Sequence, residues 1–164
     1  MEPHLEFKGV VADLGAAVAY RRCRFMTELP KTYRYTTSHF WLMSMGEPDL
    51  WRIGFTKFAV RMLGDFVELQ THVCTGDRLQ LGQELGSYEG LKAVTALYSV
   101  MEGFFLRANP ALERDGELAQ ADPYAAGWLY EARGTPDPAQ LDVFGYIGTL
   151  DSIIDKLAAK NNEE

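Results

Sequence analysis

The sequence predicts a mainly β fold with added helices, and three features carry that reading. Val67, Leu69, Thr71 and Val73 alternate with Glu68, Gln70 and His72, the period of two of a strand with one face buried and one wet. Turn formers recur densely through the middle, at Gly64-Asp65, Gly76-Asp77, Gly82, Gly86, Gly90, Gly103 and Asn109-Pro110, as many short strands require. Near the end, Leu150, Ile153, Ile154, Leu157 and Ala158 fall on one helical stripe.

Taken in order, the first 30 residues read as an N-terminal extension, with a helix expected over Val10–Met26 because Val11, Leu14, Ala17 and Val18 share a side. Tyr33, Tyr35, Thr37, His39, Trp41 and Met43 then share one face of a first strand, in aromatic and β-branched types suited to a sheet. A short helix is expected over Thr56–Leu63, with Phe58, Ala59, Met62 and Leu63 at helical spacing, Thr56 to cap it and Gly64 to stop it. The alternating strand from Val67 follows. Leu79 and Leu81 on one side, and Leu97 to Leu106 on the other, mark strand segments that leave Lys92 in a turn between them. Residues 31–134 are thus expected to form one β-sandwich, with helices of 135–164 packed on it. Asp137-Pro138 would open a helix broken by Gly145 and Gly148, and a second would run from Leu150 to Ala159, whose end suits Lys156 and Lys160. Asn161 to Glu164 read as a disordered tail.

A chain of 164 residues with 47% hydrophobic content can bury a core as a single domain. Its net charge of -7, from 23 acidic and 16 basic residues, repels polynucleotides and anionic membranes, so neither nucleic acid nor membrane is expected as a partner. No leader or spanning segment is read, and a cytoplasmic location is expected. Cys23 and Cys74 are read as free thiols, and Cys23, although set among Arg21, Arg22 and Arg24, as part of an exposed basic segment. His72 and Cys74 share a strand face but find no further ligand at useful spacing, so no metal site is expected. Neither a nucleophile with an adjacent base nor a phosphate-binding glycine loop is legible, which argues against an autonomous enzyme and leaves no catalytic residue to name.

What remains is the hairpin lysine. Glu89-Gly90-Leu91-Lys92-Ala93, with Gly103 eleven positions after the lysine, resembles the modification hairpin of lipoyl-bearing domains. The flanks narrow this. Ile53-Gly54-Phe55-Thr56, Leu63-Gly64-Asp65 and Asp122-Pro123-Tyr124 followed by Gly127-Trp128-Leu129 resemble, in order and spacing, consecutive signatures of glycine cleavage H-proteins. His39 and Trp41 stand where that family has a His and a Trp, so the similarity runs from about Tyr35 to the C-terminal helix. The tryptophans themselves read as packing residues.

The resemblance implies a lipoyl-domain-like barrel-sandwich hybrid with a C-terminal helical segment, carrying lipoate covalently on Lys92. It implies a carrier that shuttles an aminomethyl group among glycine decarboxylase, aminomethyltransferase and dihydrolipoyl dehydrogenase, after modification by a lipoyl ligase or octanoyltransferase. Glu89 would act near the arm or mark the hairpin for the ligase, with a solvated turn carboxylate as the alternative. Biotin carriers place their lysine between methionines, whereas Lys92 lies between Leu91 and Ala93, which favours lipoate. A long stem on a tight turn with small neighbours suits a group that visits several partners. The chain departs from the family at Gly90 and Leu91 (usually Ser and Val), Ala96 (Asp), Val100 (Pro), Phe104 and Phe40 (both Glu), and Gln120-Ala121 (an Asn region). Swapping acid for apolar surface is expected to enlarge an apolar patch. Two alternatives stay open: a divergent H-like protein serving lipoate relay or another lipoyl-dependent redox system, and an unmodified interaction module.

Overall fold

A computed structural model describes residues 7–162. The chain begins with three strands, β1 (Val10–Asp13), β2 (Ala17–Arg22) and β3 (Phe25–Pro30), paired in order as an antiparallel meander. The helix expected over Val10–Met26 is therefore not formed. The chain reverses twice instead: Gly15, at φ 92°, donates its N–H to the Asp13 carboxylate at 2.9 Å, and Cys23, at φ 54°, begins the two-residue turn into β3. Val18 and Tyr20, then Phe25, Thr27 and Leu29, turn inward at a period of two.

Next come β4 (Arg34–Tyr35), β5 (Phe40–Ser44), β6 (Leu50–Phe55), α1 (Lys57–Leu63), β7 (Phe66–Thr71), β8 (Arg78–Leu79), β9 (Glu84–Gly90), β10 (Val94–Tyr98) and β11 (Met101–Ala108). The short α2 (Ala111–Arg114) and α3 (Leu118–Ala121), β12 (Tyr130–Pro136) and the long α4 (Val143–Asn162) complete the chain. Besides the meander there are two sheets, one of six strands ordered β4-β5-β6-β12-β11-β8 and one of three ordered β10-β9-β7. The expected mainly β fold with a C-terminal helical segment is the one observed.

Two hydrophobic cores lie on opposite faces of β5. Phe40 and Leu42 point between the six-stranded sheet and the β10-β9-β7 sheet, with Ile53, Leu85, Tyr88, Leu97 and Phe105. Trp41 points the other way, toward Tyr20, Leu29, Phe58 and the buried stripe Val143, Tyr146, Ile147, Leu150 and Ile154 of α4. The expected first strand is split, because residues 36–39 make a turn in which Thr36 N–H donates to the Phe40 carbonyl and His39 N–H to that of Thr36. Tyr33, Tyr35, Trp41 and Met43 nonetheless share the second core, as the alternation required.

The signature glycine Gly54 and tryptophan Trp41 fit each other: a Cβ at Gly54 would lie 2.4 Å from the indole. The indole N–H donates to the carbonyls of Phe55 and Pro123, at 3.0 and 2.9 Å. Both tryptophans are packing residues, since Trp128 is also buried.

One helix stands where two were expected. Leu141 exchanges backbone hydrogen bonds with Tyr35 at 2.7 and 2.9 Å, which holds the preceding segment extended, and Asp142 accepts the Gly145 N–H at 2.8 Å. Gly145 and Gly148 then ride inside α4 on its exposed side. Each costs about 1 kcal/mol relative to alanine, which the buried stripe outweighs. The helix continues through Asn162, past the expected start of a disordered tail; residues 163–164 lie outside the described residues.

Candidate functional site

Strands β9 and β10 pair antiparallel, with Glu89 opposite Val94, and Leu91, Lys92 and Ala93 form the tip. The tip is nailed to the end of α1 through its backbone. The Leu63 carbonyl accepts the N–H groups of Lys92 (2.9 Å) and Ala93 (3.2 Å), the Asp65 carbonyl accepts that of Leu91 (2.9 Å), and Gly90 N–H closes the turn on the Ala93 carbonyl (2.9 Å). Two glycines permit this approach. A Cβ at Gly90 would stand 2.1 Å from the Leu63 oxygen. Gly64 ends α1 at φ 81°, where a Cβ would lie 2.8 Å from Lys92 Cγ. The stem of Lys92 therefore runs across Gly64 along the α1 side of the tip, while the residue as a whole stays exposed.

Beside the stem is a cleft of about 330 Å³ lined by Lys57, Val60 and Arg61 of α1, Asp65, Leu91 and Gln120. Gln120 braces it, accepting the Phe66 N–H at 2.9 Å and donating to the Asp65 carboxylate at 3.4 Å. The sequence marked Asp65 through the Leu63-Gly64-Asp65 signature and Leu91 and Gln120 as departures from the family, while Lys57, Val60 and Arg61 carried no mark. Leu91 and Val94 beside the lysine are 74% and 63% exposed.

Glu89 sits half-buried on the hairpin, opposite both Val94 and the exposed Glu68 of β7, with no hydrogen bond to its carboxylate recorded among the described residues. Gly103 is not brought to Lys92. It lies in β11 between Leu79 and Gly134, where a Cβ would meet the Arg133 carbonyl at 1.8 Å, so this glycine permits close strand pairing in the six-stranded sheet. Of the departures that swap acid for apolar surface, Phe40 is buried, stacked on Phe55 at 4.6 Å, and Ala96 is half-buried. Phe104 alone of these three faces solvent, at 52% exposure.

His39 belongs to the scaffold. Its Nδ1 hydrogen-bonds the Tyr146 hydroxyl at 2.8 Å, and that hydroxyl shares a 2.7 Å hydrogen bond with Thr56 Oγ1. Thr56 thus occupies the N-cap of α1 but spends its side chain on Tyr146 rather than on the helix end. Burial pushes the His39 imidazole down to about 4. Cys23 and Cys74 are free and exposed, and among the described residues no cluster of three His, Cys, Asp or Glu side chains could hold a metal. No described helix is long and apolar enough to cross a membrane.

The family described as glycine cleavage H-protein matches residues 33–142. The glycine cleavage system H protein of Mycobacterium avium (strain 104) is 36% identical over 132 residues, covering 76% of this chain and 98% of its own. That of Magnetococcus marinus is 39% identical over 116 residues, covering 70% of this chain and 79% of its own. The crystal structure of a glycine cleavage system H protein from Mycobacterium marinum superposes with a TM-score of 0.66 at 33% identity, covering 73% of this chain and 97% of that one. The fold is accordingly the lipoyl-domain-like barrel-sandwich expected of such proteins. A lysine hairpin docked on α1, the interlocking Trp41, Gly54 and Pro123, and a match across two-thirds of the sequence lead to one assignment: the chain belongs to the glycine cleavage H-protein family, carriers of that system that are not themselves catalytic.

Proposed function

We propose that Lys92 carries lipoate through an amide on its Nζ and that the protein moves an aminomethyl group between the enzymes of glycine cleavage. The observation that supports this best is the presentation of Lys92: an exposed side chain on a turn whose backbone is fixed by the Leu63 carbonyl. The residues present fit the group. The stem has a track across Gly64, and the cleft beside it offers the apolar faces of Val60 and Leu91 to an acyl chain. When bound, lipoate supplies a disulfide that accepts the aminomethyl group and is left as a dithiol for reoxidation.

The chain's own part is positional. Backbone anchoring fixes where the arm starts, so each partner meets the same geometry, and binding cost falls because the turn is ordered beforehand. Glu89, half-buried one residue before Gly90, is the side chain placed to be read by the modifying enzyme, a lipoyl ligase or octanoyltransferase. The partners of the loaded arm are glycine decarboxylase, aminomethyltransferase and dihydrolipoyl dehydrogenase. Gly103 contributes through strand pairing alone.

Intact mass spectrometry after incubation with lipoate, ATP and a lipoyl ligase tests the attachment. One lipoyl adduct on the wild type and none on Lys92→Ala is the expected result; an adduct that persists in Lys92→Ala refutes the assignment.

A further inference from the structure

The N-terminal meander, which lies outside the family-matched residues 33–142, ends in a bare ladder at β1. The Leu14 N–H donates to the Ala17 carbonyl at 2.9 Å, and this bond sets the alternation along the strand. Val10 and Ala12 bond to Arg21 and Ala19 of β2, while the N–H and C=O groups of Val11 and Asp13 point away from the sheet and meet no partner among the described residues. The other side of the meander is taken: Phe25 of β3 packs on Phe58 of α1 at 5.5 Å, and the Arg24 carbonyl accepts a hydrogen bond from Arg61. The remaining sheets have blunted edges. β4 is continued by a bridge from Tyr35 to Leu141, β8 has two residues, and β7 and β10 carry register shifts. By contrast β1 pairs in regular register and holds neither proline nor lysine. Its outward side is apolar, with Val10 61% and Leu14 55% exposed on either side of the exposed Ala12.

We propose that β1 pairs antiparallel with β1 of a second copy of this chain, about a two-fold axis at Ala12. Hydrogen bonds already made select this register. An axis at Val11 would set Asp13 against Gly9 of the partner subunit, and the Gly9 N–H is held by Asp151 at 3.0 Å. An axis at Asp13 would set Val11 against Gly15 of the partner subunit, and the Gly15 N–H is spent on Asp13 at 2.9 Å. With the axis at Ala12, the free groups of Val11 and of Asp13 of the partner subunit satisfy one another, and the two-fold repeats the exchange. Val10 then lies across from Leu14 of the partner subunit, and the small side chain of Ala12 suits the close spacing of a pair that shares no hydrogen bond. Asp13 brings its own counter-ion, Lys31 at 2.6 Å, so no unpaired carboxylate is added. The pairing joins two three-stranded meanders into one continuous sheet. Because β2 and β3 stand between β1 and α1, it leaves both Lys92 hairpins uncovered.

Sedimentation velocity of the full-length protein from micromolar to millimolar concentration, with amide hydrogen exchange followed at Val11 and Asp13, tests the pairing. The sedimenting mass is expected to rise toward twice that of the monomer, with exchange at these two amides slowing about tenfold as the dimer forms. Ala12→Lys, an exposed substitution that sets two ammonium groups face to face at the axis, should remain folded and monomeric at every concentration. A wild-type protein that stays monomeric at millimolar concentration overturns the proposal, as does a dimer that Ala12→Lys leaves intact. Protection of Val11 and Asp13 in a monomer overturns it too, because the same chain then covers its own edge.

Discussion

The lysine hairpin and the N-terminal meander are both antiparallel turns of chain docked on a helix, and they are held by opposite means. The hairpin is gripped through its backbone, by the carbonyls of Leu63 and Asp65, and the sequence requirement there is for glycine where atoms crowd. The meander is gripped through side chains, by Asp151 on Tyr20, Lys8 and Gly9, by Asp155 on Lys8 and Arg22, and by Tyr124 on Thr27. A backbone grip leaves the tip side chains free to vary and to be modified. A side-chain grip ties the position of a whole sheet to a few polar atoms on α4.

That contrast is broken most directly at Asp151, which is 6% exposed. Asp151→Ala leaves three donors without an acceptor and should cost about 3 kcal/mol, read as a lower urea midpoint, with hydrogen exchange rising in β1–β3 and not in β9–β10. Exchange rising equally in both would show that the two regions are not separately held. Next in size, Gly90→Ser forces a Cβ to within 2.1 Å of the Leu63 oxygen, so the tip must lift from α1. A loss of about 2 kcal/mol is expected, with faster exchange at the amides of Lys92 and Ala93, although serine is the residue the resemblance places there.

The pH dependence is smaller and has a defined window. The unfolded chain protonates its histidines near 6.5, whereas the buried His39 resists until about 4. The unfolded state therefore binds more protons between these values, and stability falls as pH drops through them, by an amount on the order of 3 kcal/mol in total, with no further loss from this group below 4. His39→Asn keeps a side chain tolerant of its φ of 71° and should flatten that slope in urea midpoints measured from pH 7.5 to 4. The smallest effect belongs to Lys31→Ala, which removes an exposed ion pair with Asp13 and should leave the melting temperature unchanged.

Legibility in the sequence follows the range of the forces involved. The α1 helix and the turn at Lys92 were readable because spacing and turn residues within a dozen positions determine them, whereas β7 was readable only in part: it ends at Thr71, and Val67, expected on the buried face, is 47% exposed beside a register shift between Phe66 and Glu68. The meander was not, since Val11, Leu14, Ala17 and Val18 fit a helical side as well as a strand, and the partner that settles the choice, Asp151, is 131 residues from Tyr20. The glycines of α4 misled in the same way, because the stripe that carries the helix over them is completed by a core assembled from the other end of the chain. Within the site, the turn made Lys92 and Glu89 legible as candidates, Gly103 lies in the neighbouring sheet, Gln120 was marked only as a departure from the family, and Lys57 and Arg61 had no local mark at all.

Glycine-dependent exchange of bicarbonate into the glycine carboxyl group, driven by glycine decarboxylase with this protein as the only carrier, reports most directly on its role. The lipoylated protein should support exchange while the unmodified protein and Lys92→Ala do not. A protein fully lipoylated on Lys92 that supports no exchange would contradict the aminomethyl carrier and assign the arm to another lipoyl-dependent task.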